Sequence, residues 1–467
     1  MTKQRVCEKD LDLFRLHETP YGWPFRLLRI PQAHRVTRGS PDVVVAVIDL
    51  GYTGHPQHEG HLWVNPDSSS PAVHGWDCHD DDAGLEYNLE NADSDYNRGH
   101  HAFVAGEVMA CAPLCPVMIV RVGYGNKASW WKGIDWAVEH GARILVMPHG
   151  FLSHGPGDSP IPLFYRGTDF GYPVDNPRLR ESLERAWERG CLIVSGTADN
   201  RGRRVASAAV ALEGVVALGS VNKRGEPADI CASADYVEAA TPSGERAGKP
   251  RYEHVWGTSG YGDFIPFTGG CMAAGFGGGV AALAWSRFPQ LSNRQIRQLL
   301  RNTARGNGWN TKTGYGVYDA LKAVSVKEKD LRQAPTVLKT GCALRRRVLH
   351  LTIENKGVFD IERCLVVAYN GDPARPGAPR GTMAKPIILA TRQIGHSITG
   401  VRGFHRSSCR IELTEAPERS LWLELSSLDQ GGAPGSTTAD LSSLTPTAAR
   451  SVAGKAGGSA PRSPAAC

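Results

Sequence analysis

Continuous apolar runs, parted by turns and by small-residue helices, set the rhythm of this chain. Val43-Val44-Val45-Ala46-Val47-Ile48 has no polar side to expose, the pattern of a strand covered on both faces in a parallel sheet. Val117 to Val122, Ile144 to Met147, Cys191 to Val194 and Val215 to Val221 repeat it. Between them lie stretches with helical spacing. Trp130 to Gly141 is amphipathic around Trp131, Ile134 and Trp136, and Pro177 to Gly190 reads as another helix. Gly277 to Trp285 is a helix of small residues that can pack closely on its neighbours, and Ser292 is placed to cap a further helix over Asn293 to Thr303. Strand and helix in alternation predict an α/β fold, a parallel sheet with helices on both faces. Residues 1 to about 40 read as a polar, irregular lead-in, and residues 230 to 266 as a long irregular stretch. From Thr336 the character changes. Arg347 to Ile353, Cys364 to Tyr369 and Leu421 to Leu425 are short alternating strands between Gly/Pro turns, which predict a small Ig-like β-sandwich over 335–428. Gly, Ala, Ser, Thr and Pro dominate from Gln430, so 430–467 is expected to be a disordered tail.

In parallel sheets, functional groups gather at the carboxyl ends of strands. Asp49 ends the first run, and a carboxylate there needs a donor partner if it is buried. His100 and His101 open a segment of helical, small-residue spacing through Val104-Ala105-Gly106. Phe267-Thr268-Gly269-Gly270-Cys271-Met272-Ala273-Ala274-Gly275 runs from a strand through a tight turn into a helix. That puts Cys271 at a helix N-terminus, where the macrodipole and free N–H groups favour the thiolate. Each residue also has a plain structural reading: a lone Cys in a Gly/Ala helix is usually a buried thiol, and a lone His is more often structural than catalytic. Asn200, in the turn Ser195 to Gly202, equally suits turn geometry.

Taken together, these stretches resemble the motifs of the subtilisin-like peptidases. Cys271 stands at the serine of Gly-Thr-Ser-Met-Ala-x-Pro, with Gly270 at the threonine and Gly275 at the proline. The segment from His100 to Gly106 resembles His-Gly-Thr-His-Val-Ala-Gly, with His101 at the glycine and Phe103 at the second histidine. Val47-Ile48-Asp49 resembles the aspartate motif. Pro148-His149-Gly150 occupies the Ser-Leu-Gly segment that pairs with extended substrate, and Asn200 the place of the oxyanion asparagine, with Asp199 at the preceding glycine. Thr313 to Ala320 resembles the segment that closes the domain. The resemblance spans residues 20–325, after a lead-in of residues 1–19. It implies catalytic Asp49, His100 and Cys271 in the family's chain order, an oxyanion donor at Asn200, peptide or protein substrates and no required cofactor. The departures at Leu50, His101, Ala102, Pro148, Asp199, Gly270 and Gly275 leave a second expectation open, a pseudopeptidase that binds peptide without cleaving it. A thioester intermediate also allows acyl transfer to an amine, and Asp49, His100, His101 and Cys271 are residue types that suit a metal.

Composition narrows this only slightly. The chain has 467 residues, 41% of them hydrophobic, enough for one large core and a smaller one. A net charge of +6 is too mild to point to nucleic acid. No stretch reaches the length of a membrane-spanning helix, and no apolar secretory region opens the chain. Eleven cysteines without paired spacing suit a reducing compartment, and the expected location is cytoplasmic. The acidic loop Asp77 to Asp82 could take calcium but reads better as a solvated turn. Ser259, in Gly257-Thr258-Ser259-Gly260, is a rival nucleophile that no small-residue helix follows. The C-terminal β region is a surface for a partner protein.

Overall fold

The apolar runs become strands because β-branched side chains fit a pleated surface that is buried on both sides. The structure, a computed structural model, describes residues 11–86, 95–123, 127–148, 177–197, 214–233, 236–245, 253–260, 262–337, 342–345, 348–361 and, beyond these, the strands as far as Asp440, with Leu441.

The lead-in departs from expectation. Leu13–Glu18 forms a 3-10 turn capped by Asp12, whose carboxylate accepts the N–H of Phe14 at 2.9 Å. Two short helices follow, α1 (Trp23–Leu27) and α2 (Ile30–Ala33). Leu11, Leu13, Leu16, Trp23, Phe25, Leu28 and Ile30 are buried in the main core. Gln57 clamps the segment, accepting the N–H of Leu13 (2.7 Å) and donating to the carbonyl of Leu11 (2.9 Å). Apolar residues diluted among Arg, His and Glu looked polar along the chain, but the turns gather them on one side.

Next come β1 (Val45–Asp49), β2 (Gly75–Asp77), α3 (Asp95–Cys111), β3 (Val117–Arg121), α4 (Lys127–Glu139), β4 (Ile144–Met147), α5 (Pro177–Glu188), β5 (Leu192–Gly196), β6 (Val215–Val221) and β7 (Ala239–Pro242). Among the described residues these seven strands make one parallel sheet in the order β2-β3-β1-β4-β5-β6-β7. β7 lies within the stretch expected to be irregular. It is short, and it carries no apolar run because Glu238 just before it is buried against Arg297 of a later helix.

A hairpin of β8 (Val255–Thr258) and β9 (Phe264–Phe267) then leads into α6 (Gly270–Arg287). This helix is buried along most of its length, and its glycines meet the sheet: a methyl on Gly277 would collide with Leu218, and one on Gly278 with Val146. α7 (Asn293–Thr303) starts at Ser292 with a capping box, and α8 (Ala320–Val324) closes the domain.

The remainder is antiparallel, as the alternation predicts. β10 (Pro335–Val337), β11 (Ala343–Arg345) and β12 (Val348–Asn355) come first, followed by β13 (Arg363–Asn370) and β14 (Ile387–Ala390). β15 (Arg392–Ile394) and β16 (Ser397–Thr399) form a ribbon, and β17 (Arg406–Glu412), β18 (Leu421–Ser427) and β19 (Ser436–Asp440) follow. β12 pairs with β10, β11 and β17, while a second sheet runs β14-β13-β18-β19. β19 corrects the expectation of a tail without structure from Gln430: Ser436-Thr437-Thr438-Ala439-Asp440 carries no apolar pattern, and pairing with β18 supplies what composition could not show. Helix α7 holds this region to the larger domain. Arg301 pairs with buried Asp360, and the Asn302 amide donates to the Val358 carbonyl (2.7 Å) and to Asp360 (2.6 Å).

Candidate active site

Asp49 closes β1 at the carboxyl edge of the sheet, fully buried. One of its oxygens, Oδ1, accepts the N–H of Leu50 at 2.7 Å; the other accepts a hydrogen bond from Nδ1 of His100, also at 2.7 Å. Burying a carboxylate is unfavourable unless donors meet it, and here a backbone amide and an imidazole do. His100 lies on α3 with no exposed surface. Its neighbour His101 turns the other way, with Nε2 on the carbonyl of Val47 at 3.1 Å and its ring edge-on to Tyr52. Successive residues on a helix point about 100° apart, so one of two adjacent histidines faces the carboxylate and the other the strand.

Cys271 is half-buried on the first turn of α6, where the hairpin strand β9 enters the helix. A methyl on Gly196, at the end of β5, would run into the carbonyl of Gly270, so the strand end and the cysteine turn fit only without a side chain there. Cys271 is coupled to His100 by charge. Burial works against the imidazolium, but the charges of Asp49 and Cys271, with the hydrogen bond to Asp49, outweigh it and hold His100 well above its ordinary range. The arrangement can take a proton from sulfur onto an imidazole that a buried carboxylate orients.

Other expected residues fall as follows. Pro148 is buried directly after β4, while His149, Gly150 and Asn200 lie outside the described residues. Ser259 is buried in the turn of the β8–β9 hairpin, its hydroxyl bound to the carboxylate of Asp263, which suits a loop serine. In the acidic loop, Asp77 accepts N–H bonds from His79 (2.7 Å) and Asp80 (3.2 Å), and Arg121 pairs with both Asp77 and Asp80. Among the described residues no group of three His, Cys, Asp or Glu is arranged to hold a metal ion.

Two features went unread in the sequence. Tyr52, His58 and Thr258 form a buried chain of hydrogen bonds: the Tyr52 hydroxyl meets His58 Nδ1 (2.9 Å), Nε2 meets the Thr258 hydroxyl (2.9 Å), and that hydroxyl donates to the Ala102 carbonyl (3.0 Å). Glu107, seven residues after His100 and so on the same face of α3, is buried beneath the cysteine turn. Its signal was present, since a lone acid in an otherwise small, apolar helical segment needs a reason.

Known proteins share this architecture. A sequence model of the subtilase family (Peptidase S8) matches residues 40–316. A thermostable alkaline protease of Halalkalibacterium halodurans is 26% identical over 332 residues, spanning 68% of this chain and 77% of that protein. The major intracellular serine protease of Bacillus subtilis is 26% identical over 328 residues, 63% of this chain and 88% of its own. Among solved structures, a lanthipeptide protease superposes with a TM-score of 0.53 at 21% identity, covering 65% of this chain and 94% of that one. A protease from Pseudoalteromonas arctica reaches 0.51 at 21% identity, covering 64% and 93%. At such identity the two structures speak for the fold alone. The family model extends over more than half the chain, from just before the Asp49 strand to the segment that closes the sheet, and this chain belongs to the subtilase family of peptidases.

Proposed function

We propose that this subtilase hydrolyses peptide bonds in extended peptide or protein substrates, with Cys271 as nucleophile, His100 as general base and acid, and Asp49 as the group that orients His100. The observation that carries this reading is His100, bonded to Asp49 at 2.7 Å and coupled by charge to Cys271 at the N-terminus of α6. The Cys271 thiolate adds to the scissile carbonyl, and the amide of Cys271 together with Asn200, assigned by the family resemblance, receives the developing oxyanion. Collapse of the tetrahedral adduct expels the amine, which takes its proton from His100 and leaves a thioester on Cys271. Water then gives a proton to His100 and attacks the thioester, releasing acid and restoring the thiol. By the family resemblance, Pro148, His149 and Gly150 are the segment against which substrate extends. No step needs a metal or cofactor.

Free thiols at Cys78, Cys111, Cys115, Cys191, Cys231, Cys271 and Cys342 support a reducing compartment, and we place the protein in the cytoplasm on that ground. No helix among the described residues is long and apolar enough to cross a membrane. The C-terminal sheets offer a surface for a protein partner, and nothing in the mild charge recruits nucleic acid.

The test uses a thiol-directed activity probe and a peptide library, with Cys271→Ala and Cys271→Ser beside the parent. Labelling and cleavage that vanish in the Ala variant are the expected result. Peptide binding without turnover in all three proteins would replace this reading with capture of extended peptide, and cleavage surviving in Cys271→Ala would move the nucleophile elsewhere.

A further inference from the structure

Helices α3 and α6 lie side by side with their residues in step. His100 acts on Cys271, Glu107 sits against Gly275, and Cys111 sits against Gly279. A methyl on Gly275 would collide with Glu107 Oε2 and stand 3.2 Å from its Cβ, so the missing side chain on α6 is the space the carboxyl fills. Glu107 is 1% exposed, and among the described residues neither of its oxygens meets a hydrogen-bond donor. An isolated carboxylate in that position is strongly disfavoured and the neutral acid is the stable form. Burial accordingly holds Glu107 well above the usual carboxylate range, with His100 opposing the shift and Cys271 reinforcing it.

The charged neighbours are few. On α6 the only ionisable group near Glu107 is Cys271, since Arg287 lies at the far end over Phe288. On α3 itself, His101 is bound to Val47, and Cys111 is a thiol pushed up by burial and by Glu107. From β1, Asp49 stands behind His100. On β3, Arg121 is taken up by Asp77 and Asp80. Strand β8 carries no ionisable residue, and His58 packs near Gly106 in contact with Thr258. In the turn Leu13–Glu18, Arg15 pairs with Glu18, and His17 lies beside it.

We propose that Glu107 is a positioning residue of the Cys271 site, a buried carboxylic acid packed against Gly275 that stays neutral beside the resting site and, once ionised, decides how tightly His100 holds its proton. This rests on the reading of Cys271 as the nucleophile. Asp49, His100 and Cys271 in their charged forms already sum to one negative charge in a buried site. A second negative charge is strongly opposed until the thiolate is consumed. Once ionised, Glu107 attracts the imidazolium more than it repels the thiolate, so His100 becomes a weaker acid toward the leaving amine.

The test reads the thiol without turnover. The full chain is alkylated with iodoacetamide across the pH range and the rate at Cys271 is followed by peptide mapping, for the parent and for Glu107→Gln. A thiolate paired with an imidazolium alkylates slowly and steps up when the imidazole loses its proton, so the alkaline step reports His100. The step is expected about one pH unit lower in Glu107→Gln. A step at the same pH in both proteins, or no alkaline step in the parent, overturns the proposal. Should the variant fail to fold, infrared spectroscopy of the parent decides. A carbonyl stretch from a buried carboxylic acid that shifts when Cys271 is alkylated supports the proposal, and its absence overturns it. Alkylation needs no substrate. A moved step in a protein that cleaves nothing would sink the peptidase reading and leave Glu107 standing, whereas an unmoved step in an active enzyme would do the reverse.

Discussion

Two aspartates lie at the same level of the same sheet edge, on either side of Arg121. Asp49 on β1 and Asp77 on β2 are both in register with Arg121 on β3, and both are fully buried. Their partners differ. Asp77 takes the guanidinium of Arg121 and two backbone N–H groups, whereas Asp49 takes one backbone N–H and the imidazole of His100. A guanidinium never gives up its proton, so the Asp77 pair is fixed and serves only to hold the loop after β2 against β3. An imidazole can gain and lose a proton near neutral pH, so the Asp49 pair can take part in a reaction. Under the proposed mechanism, the same carboxylate at the same sheet edge is structural or chemical according to whether its cation titrates.

Breaking each pair separates the two roles. Asp49→Asn leaves His100 poorly oriented, and turnover should fall about 10³- to 10⁴-fold, measured on a peptide substrate with the folded fraction checked by circular dichroism. Retention of most turnover would remove Asp49 from the reaction. Arg121→Met strands Asp77, a buried carboxylate, and should lower stability by about 3–5 kcal/mol in urea denaturation. The molecules still folded should turn substrate over at the parent rate, and a selective loss of turnover would erase the distinction.

A second imidazole sharpens the contrast, because His58 is held neutral instead of charged. Burial is the main cause, with His55, His61 and His101 adding to it, and together they push His58 down to about 3. Above pH 6.5 neither folded nor unfolded chain protonates this residue, so it contributes nothing to the pH dependence. As pH falls through 6.5, the unfolded chain takes up a proton that the folded chain refuses until about pH 3, and stability declines over that window. The expected slope is about 1.4 kcal/mol per pH unit for this one group, read as the difference between the parent and His58→Gln in urea titrations. Parallel curves would show that His58 titrates freely. The smallest effect belongs to a site remote from both carboxylates. Ser292→Ala removes the cap of α7 and should lower stability by about 1 kcal/mol, with turnover unchanged, as measured by thermal denaturation and peptide assay.

Much of this was legible along the chain, and the rest was hidden for identifiable reasons. Continuous apolar runs announced β1, β3, β4, β5 and β6, and the small residues after Cys271 announced a close-packed helix. β7 escaped because Glu238 and Pro242 interrupt its apolar pattern, a break that Arg297 makes tolerable from outside the segment. The buried lead-in escaped because its leucines are spaced by charged residues, and only the clamp by Gln57 shows which side they share.

For the candidate site, the sequence by itself supplied the residue types and their order: an acid at a strand end, two adjacent histidines and a thiol at a helix start. Those are local properties, set by periodicity and turn chemistry. The register of the family motif already pointed to His100, and tertiary structure alone decided that His101 turns to Val47, that Asp77 is spent on Arg121, and that Glu107 is buried where Gly275 leaves room. Each of these depends on which elements pack together across more than forty residues. Such pairings fix whether a charged group is solvated, neutralised or left to titrate, and no stretch of sequence carries that information alone.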